Sequence, residues 1–576
     1  MSHRHRFALA LLGSALLVAV DARAQLADAG PAFESLDAAR VSTNFSTLRI
    51  EKGVPTECFN GVGKPYPHFM YDAQGKPLCV DPATGAPQGT PKVNAGYIWG
   101  MTETANRYVW LGTGPNVQCF EMGYYLEITD PFQSATEVCE FGSSQFAKQH
   151  IVPASLGDWR SPNAYVYDTQ TGSMTRITPR DPLIQQTLGM RWGGTSPDES
   201  VVFFGGPDLN TPAQGIVIHA FDAATWTPLG STKLTAWGNI RKSVVLNGVL
   251  YVGVQGVTSG GAVLRWVGDH DHPFDFEVVG NFDCEVEELA IHQGRLFAGT
   301  TPNGAAGGAQ GGVWRSPTIP AGGLTPSNAG AWTKIFQIGD YEPDAVNAVT
   351  YGVGALASFG NSLVFGTMYF PFSAAHAEIA AYALSSSDSS TLQIEAKTRR
   401  AVTIFRIDNA TSTPVVKPLY ADASVQVYVP TDPTHPKAGG SWVSKPTKLG
   451  TPLFGPSGFG NTWNNYTWNM TVFNNALYIG TMDWSYIYAD TLGLFPANPT
   501  TLPGGNGYGA DWFKMTSATA AGTLVSVDGL GNSYNYGIRT STIVGGLLYL
   551  GTANPMNLAT KSGKPQGGWE LIVASP

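Results

Sequence analysis

The stretch Tyr466-Thr-Trp-Asn-Met-Thr-Val-Phe-Asn-Asn-Ala-Leu-Tyr-Ile-Gly-Thr481 decides how this chain folds. It predicts two short strands, Trp468–Phe473 and Ala476–Thr481, joined by an Asn-Asn turn. The first strand is rich in aromatic and β-branched side chains, and both turn residues tolerate positive φ. The second half recurs. Val109-Trp-Leu-Gly112-Thr, Val202-Phe-Phe-Gly205-Gly, Leu250-Tyr-Val-Gly253-Val and Leu296-Phe-Ala-Gly299-Thr repeat it, as do Leu363-Val-Phe-Gly366-Thr and Leu548-Tyr-Leu-Gly551-Thr. Successive glycines lie 93, 48, 46, 67, 114 and 71 residues apart, so the unit is 46–48 residues with insertions.

A third strand follows most copies, as in Ala164–Asp168, Gly261–Trp266, Gly312–Arg315, Val402–Ile407 and Gly568–Val573, and a fourth follows several. Four strands per unit at this period predict an all-β fold, a β-propeller of four-stranded blades. A single four-stranded sheet cannot bury both faces, whereas blades stacked in a ring bury them against one another. Seven copies predict seven blades, and the 93-residue first interval leaves room for an eighth. The last unit ends on its third strand. Residues Phe45–Glu51, the one strand-like piece in an otherwise irregular segment 25–95, are the candidate to close the ring. The propeller would then occupy 96–576, with insertions near 113–160, 371–395, 423–460 and 485–510.

Trp468–Thr481 resembles the blade repeat W-x-M-x-V-F-N-G-x-L-Y-V-G-T of secreted bacterial propellers, and the resemblance extends from about Tyr97 to the C-terminus. It implies the propeller fold and export. It implies no activity, because such repeats serve enzymes, binding proteins and scaffolds alike.

Export is also legible at the N-terminus. His3–Arg6 is basic, Phe7–Val20 is apolar, and Ala22-Arg23-Ala24 has the Ala-x-Ala form of a signal peptide cleaved before Gln25. The apolar run is too short for a membrane anchor, which needs roughly 20 residues, and no later segment is apolar enough. Cleavage lowers Lys+Arg from 34 to 31 and Asp+Glu from 43 to 42, leaving a net charge of −11. That argues against nucleic acid as a partner. Of five cysteines, Cys58 and Cys79 flank one loop and Cys119 and Cys139 another, natural local pairs in an oxidising compartment. Their connectivity stays open, and Cys284 is expected to be a buried thiol.

Blade topology sorts the loops into two faces. The strand one–two turns (Asn474-Asn475, Asn247-Gly248, Gln293-Gly294) and the three–four turns are short. The two–three and four–one loops share the other face and are long, aromatic and amide-rich. They hold Asn464, Asn465 and Tyr466, then Asp483 and Trp484, then Tyr534, Asn535 and Tyr536. Loops on a rigid scaffold are where function concentrates, so this elaborate face is the expected site.

Counting back fourteen and twelve residues from the repeat glycine gives Arg191, Asn239, Glu285 and Tyr466, then Arg241, Glu287, Trp468 and Arg539. Strand alternation aims these at the axis. The column at thirteen (Trp99, Trp192, Ile240, Val286, Val353, Ile538) is then expected between blades. Arginines could hold a ligand carboxylate, with Glu285 or Glu287 and Tyr466 or Tyr536 as acid and base. The alternative is an ion-paired structural lining. Asp269-His-Asp-His272 resembles a metal cluster but falls in a three–four turn, where an exposed polar turn is expected. No metal or cofactor motif is recognisable.

The expectation is therefore a secreted propeller whose aromatic face binds, and could cleave, a carbohydrate, an acidic one given the arginines. A non-catalytic scaffold docking a protein or cell-surface polymer is the competing expectation. Oligomeric state is not legible.

Overall fold

The computed structural model describes residues 46–575 except 126–127, 135, 150–155, 157–158, 211, 303–307, 492–507 and 559–566. The signal-peptide expectation lies outside these residues.

The strands pair in four-stranded antiparallel sets. Ala95–Thr104, Tyr108–Pro115, Ala164–Asp168 and Ser173–Arg176 form the first, and Trp192–Thr195 through Pro228–Leu234 the second. Trp237–Leu246 through Phe276–Phe282 form the third, and Glu285–His292 through Thr333–Gln337 the fourth. Tyr351–Phe359 through Val415–Tyr420 and Asn464–Phe473 through Thr523–Ser526 follow. The last set has Gly537–Val544, Leu547–Ala553 and Glu570–Ser575 from the C-terminus. Its fourth strand is Ser46–Lys52, antiparallel to Glu570–Ser575 with Ser46 opposite Ser575. The first strands of the sets pack one on the next, and Gly537–Val544 returns to Ala95–Thr104. This is a β-propeller.

Local chemistry explains the repeated sequence. Asn474 and Asn475 both adopt positive φ (46° and 58°), which a two-residue hairpin turn requires. The repeat glycine sits where the next blade's inner strand presses on bare backbone. A Cβ added at Gly480 would lie 2.8 Å from Ile538 Cβ, and one at Gly253 would lie 2.6 Å from a Val286 methyl. Val353 and Ile98 approach Gly299 and Gly551 in the same way. The alternating apolar residues of strands two and three fill the space between sheets, as in the cluster of Leu477, Ile479, Phe513, Val364 and Ile404.

Outside the blades, Glu57–Phe59 pairs with Thr90–Lys92 and His68–Tyr71 with Pro77–Val80, so the segment expected to be irregular carries one hairpin and a two-stranded pair whose strands flank it in sequence. The disulfides are Cys58–Cys79 and Cys119–Cys139, and Cys284 is a buried free thiol. Two helices, Ser373–Tyr382 and Asp388–Thr398, occupy the insertion between Ser362–Tyr369 and Ile404–Asp408. No helix among the described residues is long and apolar enough to cross a membrane.

Candidate functional site: the axial pocket

A β-bulge recurs at one level of the inner strands. The pairing slips between Ile98 and Gly100, Ile240 and Lys242, Val286 and Glu288, Val353 and Ala355, Thr467 and Asn469, and Ile538 and Thr540. The residue left over is Trp99, Arg241, Glu287, Gly354, Trp468 or Arg539. In the second set the corresponding place falls to Arg191, just ahead of the first paired residue Trp192. A bulge leaves one residue out of the ladder and re-aims its side chain. All seven of these residues line a single pocket on the propeller axis, of about 420 Å³.

This geometry corrects one sequence expectation. Trp99 does not belong with Val286 and Ile538 as a purely inter-blade residue; it lines the pocket. Its strand turns over three residues, because Thr104 pairs with Tyr108, while the third set turns over two, because Leu246 pairs with Val249. A count from the glycine therefore slips between blades, by one position at Trp99 and by two at Arg191.

The pocket opens toward the short-turn face. Its outer wall is Thr102, Glu103, Thr195, Pro197, Glu199, Val245 and Thr542, next to the one–two turns, and Glu199 and Val245 are exposed. The opposite end is filled. Tyr97, Tyr466, Trp484, Tyr534 and Tyr536 are buried in one cluster with Trp99, Trp463 and Trp468. Tyr97 and Tyr536 both donate hydrogen bonds to Glu121 Oε2, at 3.3 and 2.9 Å. Glu121 comes from helix Val117–Tyr125, which the Cys119–Cys139 disulfide staples.

Of the expected site residues, Arg191, Arg241, Arg539, Glu287 and Trp468 line the pocket, while Glu285, Tyr466 and Tyr536 do not. Asn464, Asn465, Asp483, Trp484, Tyr534 and Asn535 lie buried in the packed loops of the elaborate face. Asn465 Nδ2 donates to the Arg400 carbonyl at 3.1 Å and Asp483 accepts from Asn461 and Ser485, while Asn465 Oδ1 and Trp484 Nε1 are buried without a hydrogen-bond partner among the described residues. Sequence reasoning missed Glu121, Glu288, Lys242 and Asn469. Glu121 lies in an insertion with no repeat to align it, whereas the other three each neighbour a bulge and follow from its existence.

The floor of the pocket is cationic and aromatic. The Arg191 guanidinium lies 5.5 Å from the Trp99 ring centre, and that of Arg539 lies 5.4 Å from Trp468. Arg241 is ion-paired with Glu287, and Lys242 with Glu288 at 3.5 Å. Arg191 Nε and Arg539 Nε and Nη2 are buried without a hydrogen-bond partner among the described residues. Burial, then the neighbouring Arg539 and Arg191, pull Arg241 well below the usual arginine range, against Glu285 and Glu288. Burial and Arg191 bring Arg539 down to about 9. Glu121 is pushed up to about 8 by burial, against the pull of Arg191, Arg539 and Arg241. Burial also raises Glu285, against Arg191 and Arg241. Crowded guanidiniums with N–H groups left over form an arrangement that an anion would relieve.

Elsewhere, His270 and His272 hydrogen-bond to Asp222 and Asp269 in partly exposed turns. No group of three metal-ligating side chains is found among the described residues.

No family model and no curated protein matches the chain. Among solved structures it is similar to the polysaccharide lyase Uly1, at 10% identity and a TM-score of 0.38, over 93% of this chain and 99% of that one. It is also similar to the β-propeller domain of the Trilobed protease from Pyrococcus furiosus, at 8% identity and TM-score 0.31, over 81% and 92% of the two chains. A third is the exo-β-1,3-galactanase from Phanerochaete chrysosporium, at 10% identity and TM-score 0.28, over 56% and 60%. At these values none of them bears on what the pocket holds.

Proposed function

We propose that this chain is an exported, seven-bladed propeller that binds an acidic saccharide in its axial pocket, entered from the short-turn face. The observation that carries the reading is the pair Arg191, partly buried, and Arg539, buried, set beside Trp99 and Trp468 with buried N–H groups to spare. A uronate has matching parts. Its carboxylate takes the free guanidinium N–H groups. Asn469, Thr102 and Thr195 in the wall offer partners for hydroxyls. The volume is at the small end of the ~300–1,000 Å³ typical of small-molecule sites.

Recognition, rather than a reaction, is what these residues carry. Of the four acid/base candidates only Glu287 lines the pocket, and Arg241 holds it.

Calorimetric titration with galacturonate and with galactose tests the reading. Galacturonate should bind and galactose should not, and Arg539→Lys, which loses the planar fork, should weaken binding about tenfold. Burial and Arg191 pull Arg539 below the usual arginine range, so affinity should fall, not rise, as pH is raised into the alkaline range. Equal binding of the acid and the neutral sugar would sink the proposal.

A further inference from the structure

We infer that the pocket reads one end of an acidic chain, not its interior. This rests on the anion-binding reading above and adds to it the shape of the channel.

A propeller channel open at both faces could let a polymer pass through. This one is blind. Past the bulge residues, Tyr97, Tyr466 and Tyr536 are at most 4% exposed, and Trp463 and Trp484 stand behind them at 1% each. Tyr97 is 5.9 Å from Trp468 and 6.0 Å from Tyr536, ring centre to ring centre, so the aromatic side chains of three neighbouring blades pack on one another at this end. The floor donors on Arg191 and Arg539 sit at the bulge level, directly beneath that plug. A carboxylate reaching them has a wall behind it and an open mouth in front.

The mouth also favours a single strand of chain leaving outward. Thr102 and Thr195 hydrogen-bond to each other across two blades at 2.7 Å, and Thr471 bonds to Ser541 in the same way across another pair. These contacts tie neighbouring inner strands together at two seams of the wall. A chain lying across the face would have to bend a middle residue down a cavity of about 420 Å³ and bring both flanking segments back through the same opening. Only a terminal residue reaches the arginines with one segment to accommodate. The chemical class is thus an oligosaccharide, or a polymer, that ends in a uronic acid.

The test is stoichiometry. Short oligogalacturonates, longer ones and the polymer are titrated at equal total sugar concentration, with bound protein counted per chain. End recognition predicts one protein per chain at every length, and binding of the free monosaccharide. Several proteins on each long chain would overturn the inference while leaving the anion-binding reading intact. Failure of every uronate, the monosaccharide included, would overturn both. Thr542→Trp narrows the mouth without touching the floor and should weaken oligomer binding about tenfold or more. An unchanged affinity in that variant, with its fold intact by circular dichroism, would also count against the inference. Reducing the sugar's aldehyde end to the alditol then assigns the end, since loss of binding marks the reducing terminus and retention the other.

Discussion

Two loops of the elaborate face share a sequence pattern and differ in charge. Asn461-Thr-Trp-Asn464 and Asn532-Ser-Tyr-Asn535 each precede an inner strand. In each, the first asparagine accepts from a backbone N–H two residues on, and the second donates to the carbonyl six residues back, Gly458 or Gly529. In each, both amides reach an acid at the start of the blade's third strand. Asn461 and Asn464 donate to Asp511, at 3.5 and 2.6 Å, and Asn532 and Asn535 donate to Glu570, each at 2.8 Å. Beyond that the loops part. Glu570 faces Lys52 at 3.1 Å and Arg49 at 3.3 Å, both from the ring-closing strand. Asp511 faces other carboxylates. Burial and Asp483 push it up to about 8, with Asp528 adding to the rise. Burial alone would raise Glu570 too, but Lys52 and the two amides outweigh it and hold it below the usual range. The shared pattern is a strand lock. What differs is whether the neighbouring element brings a cation.

Three measurements would break or sharpen this comparison. The largest effect is expected from Asn535→Ala, which strips Glu570, Asn554 and the Gly529 carbonyl of buried partners. Hydrogen bonds to a buried charge carry most of that loss, so urea unfolding should show about 3 kcal/mol. Asn464→Ala should cost less, because Asp511 can stay protonated. Equal losses would mean that the charge difference does not matter.

Next come the acids themselves, which should respond to pH with opposite signs. Asp511 has a folded pKa above its ordinary 3.8, so its contribution is full below that value and is lost as pH rises toward about 8. Asp511→Asn should match wild type near pH 4 and exceed it near pH 8, by about 1 kcal/mol or more. Glu570 is depressed, so its contribution is present above the ordinary 4.5 and is lost as pH falls through the lowered folded pKa. Glu570→Gln should therefore be destabilised at neutral pH and converge on wild type in acid. Parallel pH profiles for the two variants would refute the assignment of charge. The smallest effect belongs to Arg49→Ala. Arg49's side chain is 50% exposed and Lys52 remains, so the change should stay within about 0.5 kcal/mol in the same unfolding assay.

The elaborate face and the short-turn face differ in the same instructive way. Long aromatic loops invite a functional reading, yet Trp463, Trp484 and Tyr486 are packed as a core. The plain face, whose turns are as short as two residues, carries the opening. Loop length signals spare chain, and here that chain stops one end of the channel.

Much of this was legible in residue order. The Leu-Tyr-x-Gly-Thr copies located the four-stranded units, because the glycine and the paired strands are local requirements repeated at a fixed period. A ring-closing strand was expected at 45–51 because the last unit lacks one, and Ser46–Lys52 takes that place beside Glu570–Ser575. Arg191, Arg241 and Arg539 were expected at the axis from strand alternation against the apolar column, and all three line the pocket. Trp99 and Glu121 were not. Trp99 was lost to a hairpin one residue longer than the two-residue turns of the third to seventh sets, and Glu121 lies in an insertion that matches nothing else in the chain.

By itself, then, the sequence determined the blade, its turns, the packing glycines and the arginines available to the axis, since each depends on neighbours within one unit. Only the tertiary structure decided which side chains meet in the pocket and which face is open. A bulge adds one unpaired residue and shifts the two-residue alternation, and its position depends on how each inner strand meets the next. Whether Asn461–Asn464 and Asn532–Asn535 bind a ligand or lock a strand depends on Asp511 and on Glu570 with Lys52. Those groups reach the loops from distant parts of the chain only when the ring closes.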